Sequence, residues 1–469
     1  MLKLQSRLRG GYILVAAGLA AALLICSNQP SSAGLFSWMK GPQDAPGGGS
    51  GDSYNDNQAG GLFGGQGGGL FGGGQRQPQQ PGSRAFHGDE LPPEEGNAAT
   101  QAWITNPALG TPTLSSANIP LTKVAIQHYQ GIVAQGGWPM VPATVMKPGS
   151  TGQAIATLQR RLEVSGDLVG SSVPGEYDAA VVAAVKKFQT RHGLPPTGVV
   201  DNRATIDALN VPAVVRLAQL QSSLKRLQSL AATAPSRYVV VNIPSAQVEA
   251  VESGQVAQRH AAVVGKPERP SPELTSKIQE INFNPYWYVP KSIIYKDLVP
   301  KAREFTRRGQ DFLNAYHMQA FDAAGNPIDG RQINWSGTEV YNYQFRQLPW
   351  SENSLGYIKI NFPNKDAVYM HDTPLKSLFG RAERFDSSGC VRVHNVDTLA
   401  AWILRDTPGW DINRIQAMKQ TGEQVDVKLT KPVPVYFAYI SAWGLPDGSV
   451  QFRPDIYNQD GGAATASAY

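Results

Sequence analysis

The feature that most limits how this chain can fold is a change of hydrophobic period at Arg237. Before it, apolar residues recur at helical spacing: Ile155, Leu158 and Leu162, then Val181, Val185 and Phe188, then Leu217, Leu220, Leu224 and Leu227. After it they alternate, through 238–243, 247–252, 255–264 and 277–283. Helices therefore build the first half and sheet the second. The fold class is multidomain α+β, with a helical part followed by a mainly β, sandwich-like domain. A chain of 469 residues has room for two or three such cores.

The N-terminus bears on the compartment. Lys3, Arg7 and Arg9 precede an uncharged apolar run over 12–26, and Ser31-Ser-Ala33 supplies small residues for cleavage. This predicts a secretory signal at 1–33, with an uncleaved membrane anchor as the open alternative. The run is shorter than the roughly 18 residues a comfortable span needs. Ile25 before Cys26 disfavours a lipoprotein signal. Residues 34–100 are rich in Gly, Gln and Pro, with an imperfect Gly-Gly-Leu-Phe-Gly-Gly repeat, and are expected to form a disordered linker.

The remaining units follow from composition and period. Residues 101–145 and 212–235 are read as a helical scaffold, with one helix around 121–133. Residues 146–211 form a compact three-helix unit whose third helix Asp201 can cap. The β domain covers 236–445. A long mixed stretch at about 287–350 interrupts it and is read as a capping insertion, a solvated helix pair being the plainer alternative. A hairpin turning at Pro446-Asp-Gly covers 446–458, and a disordered tail covers 459–469.

Net charge is +5, with no basic stripe interleaved with aromatics, so a nucleic-acid partner is not expected. The chain has two cysteines, and cleavage after Ala33 would leave only Cys390. An unpaired thiol in an exported protein is either buried and inert or in use. Composition alone does not choose between them. His371 ends an alternating segment, 367–371, in which it shares a face with Tyr369. The turn Ser388-Gly389-Cys390 can return a thiol beside that imidazole. A neighbouring imidazole activates a thiol, and backbone N–H groups of a tight turn stabilise an oxyanion. Gly389 permits close approach of a carbonyl, Tyr369 offers a hydroxyl, and Arg392 can pair with a carboxylate or brace the loop. Cys390, His371 and His394 allow a zinc site on paper, but four ligands are wanting and no metal or other cofactor is expected.

Tyr369-Met-His-Asp-Thr-Pro374 followed by Ser387-Ser-Gly-Cys-Val-Arg-Val393 resembles the YkuD-type L,D-transpeptidases, and more closely their large YcbB-like branch. Matching stretches include Phe283-Asn-Pro-Tyr-Trp287, Val289-Pro-Lys-Ser-Ile293, Phe345-Arg-Gln347 and Leu355-Gly356. The 146–211 unit is similar to the three-helix peptidoglycan-binding module, through Leu158-Gln-Arg-Arg-Leu162, Ala184-Val-Lys-Lys-Phe-Gln189 and His192-Gly-Leu. The resemblance implies Cys390 as nucleophile and His371 as base. It implies peptidoglycan tetrapeptide stems and glycan strands as partners, with carbapenems as acylating inhibitors. It also implies a place in the periplasm or envelope of a Gram-negative-type bacterium. The reaction implied is 3→3 cross-linking with release of D-Ala. Open alternatives are carboxypeptidase or D-amino-acid exchange on the same stems, a zinc peptidase, and a non-catalytic wall-binding scaffold. Many members carry a second histidine where this chain has Ser388.

Overall fold

The computed structural model describes residues 98–461. The predicted signal or anchor, nearly all of the predicted linker, and residues 462–469 lie outside the described residues. Among the described residues no helix is long and apolar enough to cross a membrane.

The helical half opens with α1 (Ala98–Thr105) and α2 (Asn118–Ala134). The compact unit follows as α3 (Gln153–Val164), α4 (Ala179–Arg191) and α5 (Arg203–Asn210). Leu158, Leu162, Val181, Phe188 and Leu209 fill its core, which is the face the helical spacing selects. Asp178 caps α4 by accepting from the Val181 N–H. The cap of α5 is Asn202, which accepts from the Thr205 N–H, and not the expected Asp201. The side chain one residue nearer the helix is the one that reaches an orphan N–H. Next, α6 (Ala213–Ala231) packs Leu220 with Tyr129 of α2, and Leu227 with Tyr238 and Val240 of the β domain. The scaffold helices thus lie between the compact unit and the sheet.

The β domain begins with β1 (Arg237–Asn242), β2 (Gln247–Glu252), β3 (Gln255–Gly265) and β4 (Leu274–Phe283). The insertion contains β5 (Trp287–Tyr288), α7 (Lys291–Ile293), α8 (Val299–Arg307), α9 (Phe312–Ala315), β6 (Met318–Phe321), β7 (Pro327–Ile328) and β8 (Gln344–Gln347). It has its own four-stranded sheet, ordered β5-β8-β6-β7, and a core of Trp287, Leu298, Phe312, Trp335 and Phe345. It is a folded cap and not a solvated helix pair.

The chain then returns through β9 (Ile358–Asn361), β10 (Met370–His371), β11 (Phe385–Ser387) and β12 (Val391–Val393). Helices α10 (Val396–Leu404) and α11 (Ile412–Thr421) precede the long β13 (Val425–Ala438). The large sheet runs β11-β3-β12-β10-β9-β4-β13-β1-β2, and β2 also pairs with β3. That extra pairing closes the sheet on itself. Opposite halves face one another across one core, filled by Val239, Val248, Ile281, Ile360, Met370 and Val391 together with Leu399 and Trp402 of α10.

A short hairpin, β14 (Ala442–Gly444) and β15 (Val450–Phe452), ends the regular structure. The chain does not become a disordered tail at 459. Asp460 is buried, accepting from Arg226 Nη1 at 2.6 Å and Ser441 Oγ at 2.6 Å. Two anchoring partners outweigh the flexible composition of the residues that follow it.

Candidate active site

β10 is the strand that gathers the site. It pairs in parallel with β12, placing Met370 opposite Val391 and His371 opposite Arg392. On its other side His371 lies opposite Lys359 of β9. Residues opposite one another project from the same face of a sheet, and so do residues two apart along a strand. One face therefore carries Tyr369, His371, Cys390, Arg392 and Lys359, while Met370, Val391 and Ile360 fill the core behind it. In β3, Val263 opposite Arg392 belongs to the core of the cap. The cap covers this face.

Cys390 sits where the chain crosses the end of β3, between β11 on one side and β12 on the other. The crossing is made by Ser388 and Gly389, the latter at φ +108, a conformation that favours glycine. Ser271 holds the turn: its Oγ donates to the Gly389 carbonyl at 2.7 Å and accepts from the Gly265 N–H at 2.9 Å. A Cβ on Gly265 would meet the Arg269 carbonyl at 2.3 Å, so only glycine lets the two segments touch. Tyr457 adds a second brace, its hydroxyl donating to the Gly265 carbonyl at 2.5 Å. The Gly389 N–H, expected as an oxyanion donor, points to Ser387 Oγ at 3.2 Å, and Ser387 Oγ donates to the Cys390 carbonyl at 2.5 Å. Gly389 therefore shapes the turn, and its N–H is already taken.

His371 is buried, and its Nδ1 lies 2.5 Å from the Asp372 carbonyl oxygen. A carbonyl only accepts, so Nδ1 carries the proton and Nε2 the lone pair. Burial, reinforced by the Arg392 guanidinium, lowers His371 to about 3; the hydrogen bond to Asp372 opposes this. Asp372 is itself fixed, accepting from Lys376 Nζ and, at 3.3 Å, from the Tyr357 N–H. A Cβ on Gly356 would meet Asp372 Oδ2 at 2.3 Å, which explains the glycine after Leu355.

The thiol is half-buried and unpaired. Burial pushes Cys390 up from its ordinary value, while the Tyr369 N–H and hydroxyl, Lys359 and Arg392 pull it back. The resting pair is therefore a neutral thiol with a neutral imidazole. Tyr369 touches both sides of the pair. Its hydroxyl bonds the thiol and Trp287, and its ring stands edge-on to His371 at 5.6 Å. Lys359 Nζ lies 4.5 Å from the centre of the same ring.

The other expected residues take distinct places. Arg392 is buried beside His371, and among the described residues its Nη1 has no hydrogen-bond partner. Ser388 is exposed and accepts from Arg269 Nη1 at 2.9 Å; the same guanidinium forks onto Asp297 of the cap. His394, read from the sequence as a surface or helix-start residue, is half-buried just ahead of α10 and packs against Phe379 at 5.1 Å. Among the described residues no three His, Cys, Asp or Glu side chains converge as a metal ion needs. The sequence reading missed Ser271, Trp287, Lys359 and Asp372. Of these, Asp372 had a visible signal, since it follows His371 directly.

Comparison with known proteins finds matches to two parts of the chain. Residues 236–427 match the YkuD family model, described as an L,D-transpeptidase catalytic domain. Residues 151–209 match a model described as "Putative peptidoglycan binding domain". A Haemophilus influenzae protein named "Putative L,D-transpeptidase" is 32% identical over 223 residues, covering 47% of this chain and 44% of that protein. The chain thus spans less than half the length of this relative. Among solved structures, an L,D-transpeptidase from Stackebrandtia nassauensis is 15% identical, covering 62% of this chain and 94% of that one, at a TM-score of 0.23. Mycobacterium tuberculosis L,D-transpeptidase 3, solved with a faropenem-derived adduct, is 14% identical, covering 43% and 60%, at a TM-score of 0.21. Residues 236–427 therefore form a domain of the YkuD family, and residues 151–209 one of the peptidoglycan-binding family.

Proposed function

We propose that this protein forms 3→3 cross-links in peptidoglycan through a Cys390 acyl-enzyme. The observation that carries the reading is the tautomer of His371. Its Nδ1–H is fixed on the Asp372 carbonyl, leaving Nε2 basic on the same sheet face as the thiol.

Cys390 Sγ attacks the carbonyl joining diaminopimelate to the terminal D-Ala of a donor stem, and Nε2 of His371 takes the thiol proton. The tetrahedral intermediate places negative charge on oxygen. With the Gly389 N–H engaged, the Tyr369 hydroxyl is the side-chain donor for that oxygen. As the C–N bond breaks, His371 returns its proton to the leaving D-Ala amine, and a thioester remains. The side-chain amine of an acceptor diaminopimelate then attacks the thioester. His371 takes the amine's proton, and the thiol leaves and is reprotonated. Water in place of that amine would give carboxypeptidase activity, and a free D-amino acid would give exchange. The domain at 151–209 would hold the chain on the wall, in the periplasm if the N-terminal segment exports it. A carbapenem would acylate Cys390 by the same first step.

The test is incubation of the purified protein with tetrapeptide muropeptides, the products being resolved by mass. Dimers lacking one D-Ala are expected, with none from Cys390→Ala. Dimers formed equally by Cys390→Ala would overturn the cysteine mechanism. Tripeptide monomers without dimers would move the assignment to a carboxypeptidase.

A further inference from the structure

A cavity of about 740 Å³ lies away from Cys390, where the helical part meets the catalytic domain. Its walls come from α1 and the loop after it, from His192, Leu194 and Ala204 of the 151–209 domain, and from 382–385 and β15 of the catalytic half. The volume is that of a ligand pocket and not of a packing defect. Trp443 and Phe452 give it apolar walls.

Its charge is what needs explaining. Four arginines line it: Arg216, Arg259, Arg384 and Arg453. Among the described residues only Arg259 of the four meets a carboxylate, Glu249 at 2.8 Å. Arg384 bonds the carbonyls of Ala262, Arg381 and Ser245. Arg453 bonds the Arg191 and Phe452 carbonyls and the Gln451 amide oxygen. Arg216 is 4% exposed; its Nη1 donates to Gln219 Oε1 at 2.9 Å and its Nη2 to the Ala208 carbonyl at 3.1 Å, while its Nε has no hydrogen-bond partner among the described residues. Behind it stand Arg161 and Arg191, which share a single carboxylate, Asp167, bonded to Arg191 at 2.5 Å. Burial and these neighbouring cations lower Arg216 to about 9. The wall carboxylates do not correct the imbalance. Asp207 pairs with Arg203, Asp455 accepts from Tyr439 and from backbone N–H groups, and Glu383 is exposed. Buried guanidinium groups without counterions are costly, and their forked donors match carboxylates.

We infer that this cavity is a second peptidoglycan site, which takes the carboxylates of a stem peptide other than the one at Cys390. The inference rests on the proposed wall substrate. A stem held here ties the polymer to both the 151–209 domain and the catalytic domain while a neighbouring stem is processed.

The test uses the full chain and purified sacculi, with the dissociation constant measured by co-sedimentation. Arg453→Gln is expected to weaken binding at least fivefold. Amidating the sacculus carboxylates should weaken the wild type to the same degree and add nothing to the variant's loss. Ala204→Trp, which narrows the cavity without removing a charge, should reproduce the defect. The alkylation rate of Cys390 should stay unchanged in both variants. Wild-type binding by both variants would overturn the inference. So would an amidation effect undiminished in Arg453→Gln, or displacement of the wild type by inorganic phosphate alone from amidated sacculi. These outcomes are separate from failure of the proposed reaction, which is read from the products of wild type and Cys390→Ala.

Discussion

A thiol that burial keeps protonated needs its base only at the moment of attack. Cys390 is raised and His371 is lowered to about 3, so the two do not rest as a thiolate–imidazolium pair. This separates the site from cysteine enzymes with a depressed thiol, and alkylation reads the difference. Iodoacetamide reacts with the thiolate, so the logarithm of its rate should climb with pH through neutrality and beyond 9, with no plateau between about 5 and 8. A plateau in that window would mean a preformed ion pair and would refute the neutral assignment. Lys359 and Arg392 both favour the thiolate. Lys359→Met should therefore slow alkylation at neutral pH and leave the slope unchanged.

At the scale of elements, the cap and the catalytic turn are joined by one guanidinium. Arg269 reaches Ser388 of the turn and forks onto Asp297 of the insertion, and both charged partners are largely buried. Charge-assisted bonds of this kind are worth roughly 1–3 kcal/mol. Asp297→Ala should loosen the cap while leaving the chemistry in place. Turnover of muropeptide should fall severalfold, mainly through KM, while iodoacetamide reaches Cys390 faster at fixed pH. A fall in turnover with unchanged alkylation would show that the bridge does not control access. The bridge also shows what a sequence conceals. Strands such as β2 and β3 were legible to within a residue because alternation records which face is buried. The segment before His371 was read as a strand from 367, yet only Met370 and His371 pair, since Ala367 adopts φ +53. Cys390 and His371 were visible as residue types with matching chemistry. Arg269 and Asp297 lie 119 and 91 positions from Ser388, and Ser271 lies 118 from Gly389; no local pattern marks contacts that topology makes.

Over the whole molecule, the described units share a dependence on pH that the active site alone does not reveal. His192 stacks on Phe188 at 3.8 Å in the 151–209 domain, His260 lies in β3, and His371 ends β10. All three are buried, and burial is the leading cause that lowers each of them: His260 to about 4, His371 to about 3, and His192 well below its ordinary value. The unfolded chain binds these protons near the ordinary 6.5, and the folded chain does not. Stability from this source is therefore fully present above 6.5 and falls as pH drops toward the folded values. Each histidine contributes a slope approaching 1.4 kcal/mol per pH unit, so the three together remove about 4 kcal/mol per unit near pH 5. Glu273, Glu352 and Asp460 act the other way, since their raised carboxyls release protons on unfolding. The net expectation is a melting temperature that is flat from pH 7 to 8 and falls steeply between 6 and 4.5. His260→Gln should remove one of these contributions to the slope and leave alkylation of Cys390 unaffected. A melting temperature level down to pH 4.5, or a His260→Gln profile parallel to that of the wild type, would show that these histidines are charged in the fold.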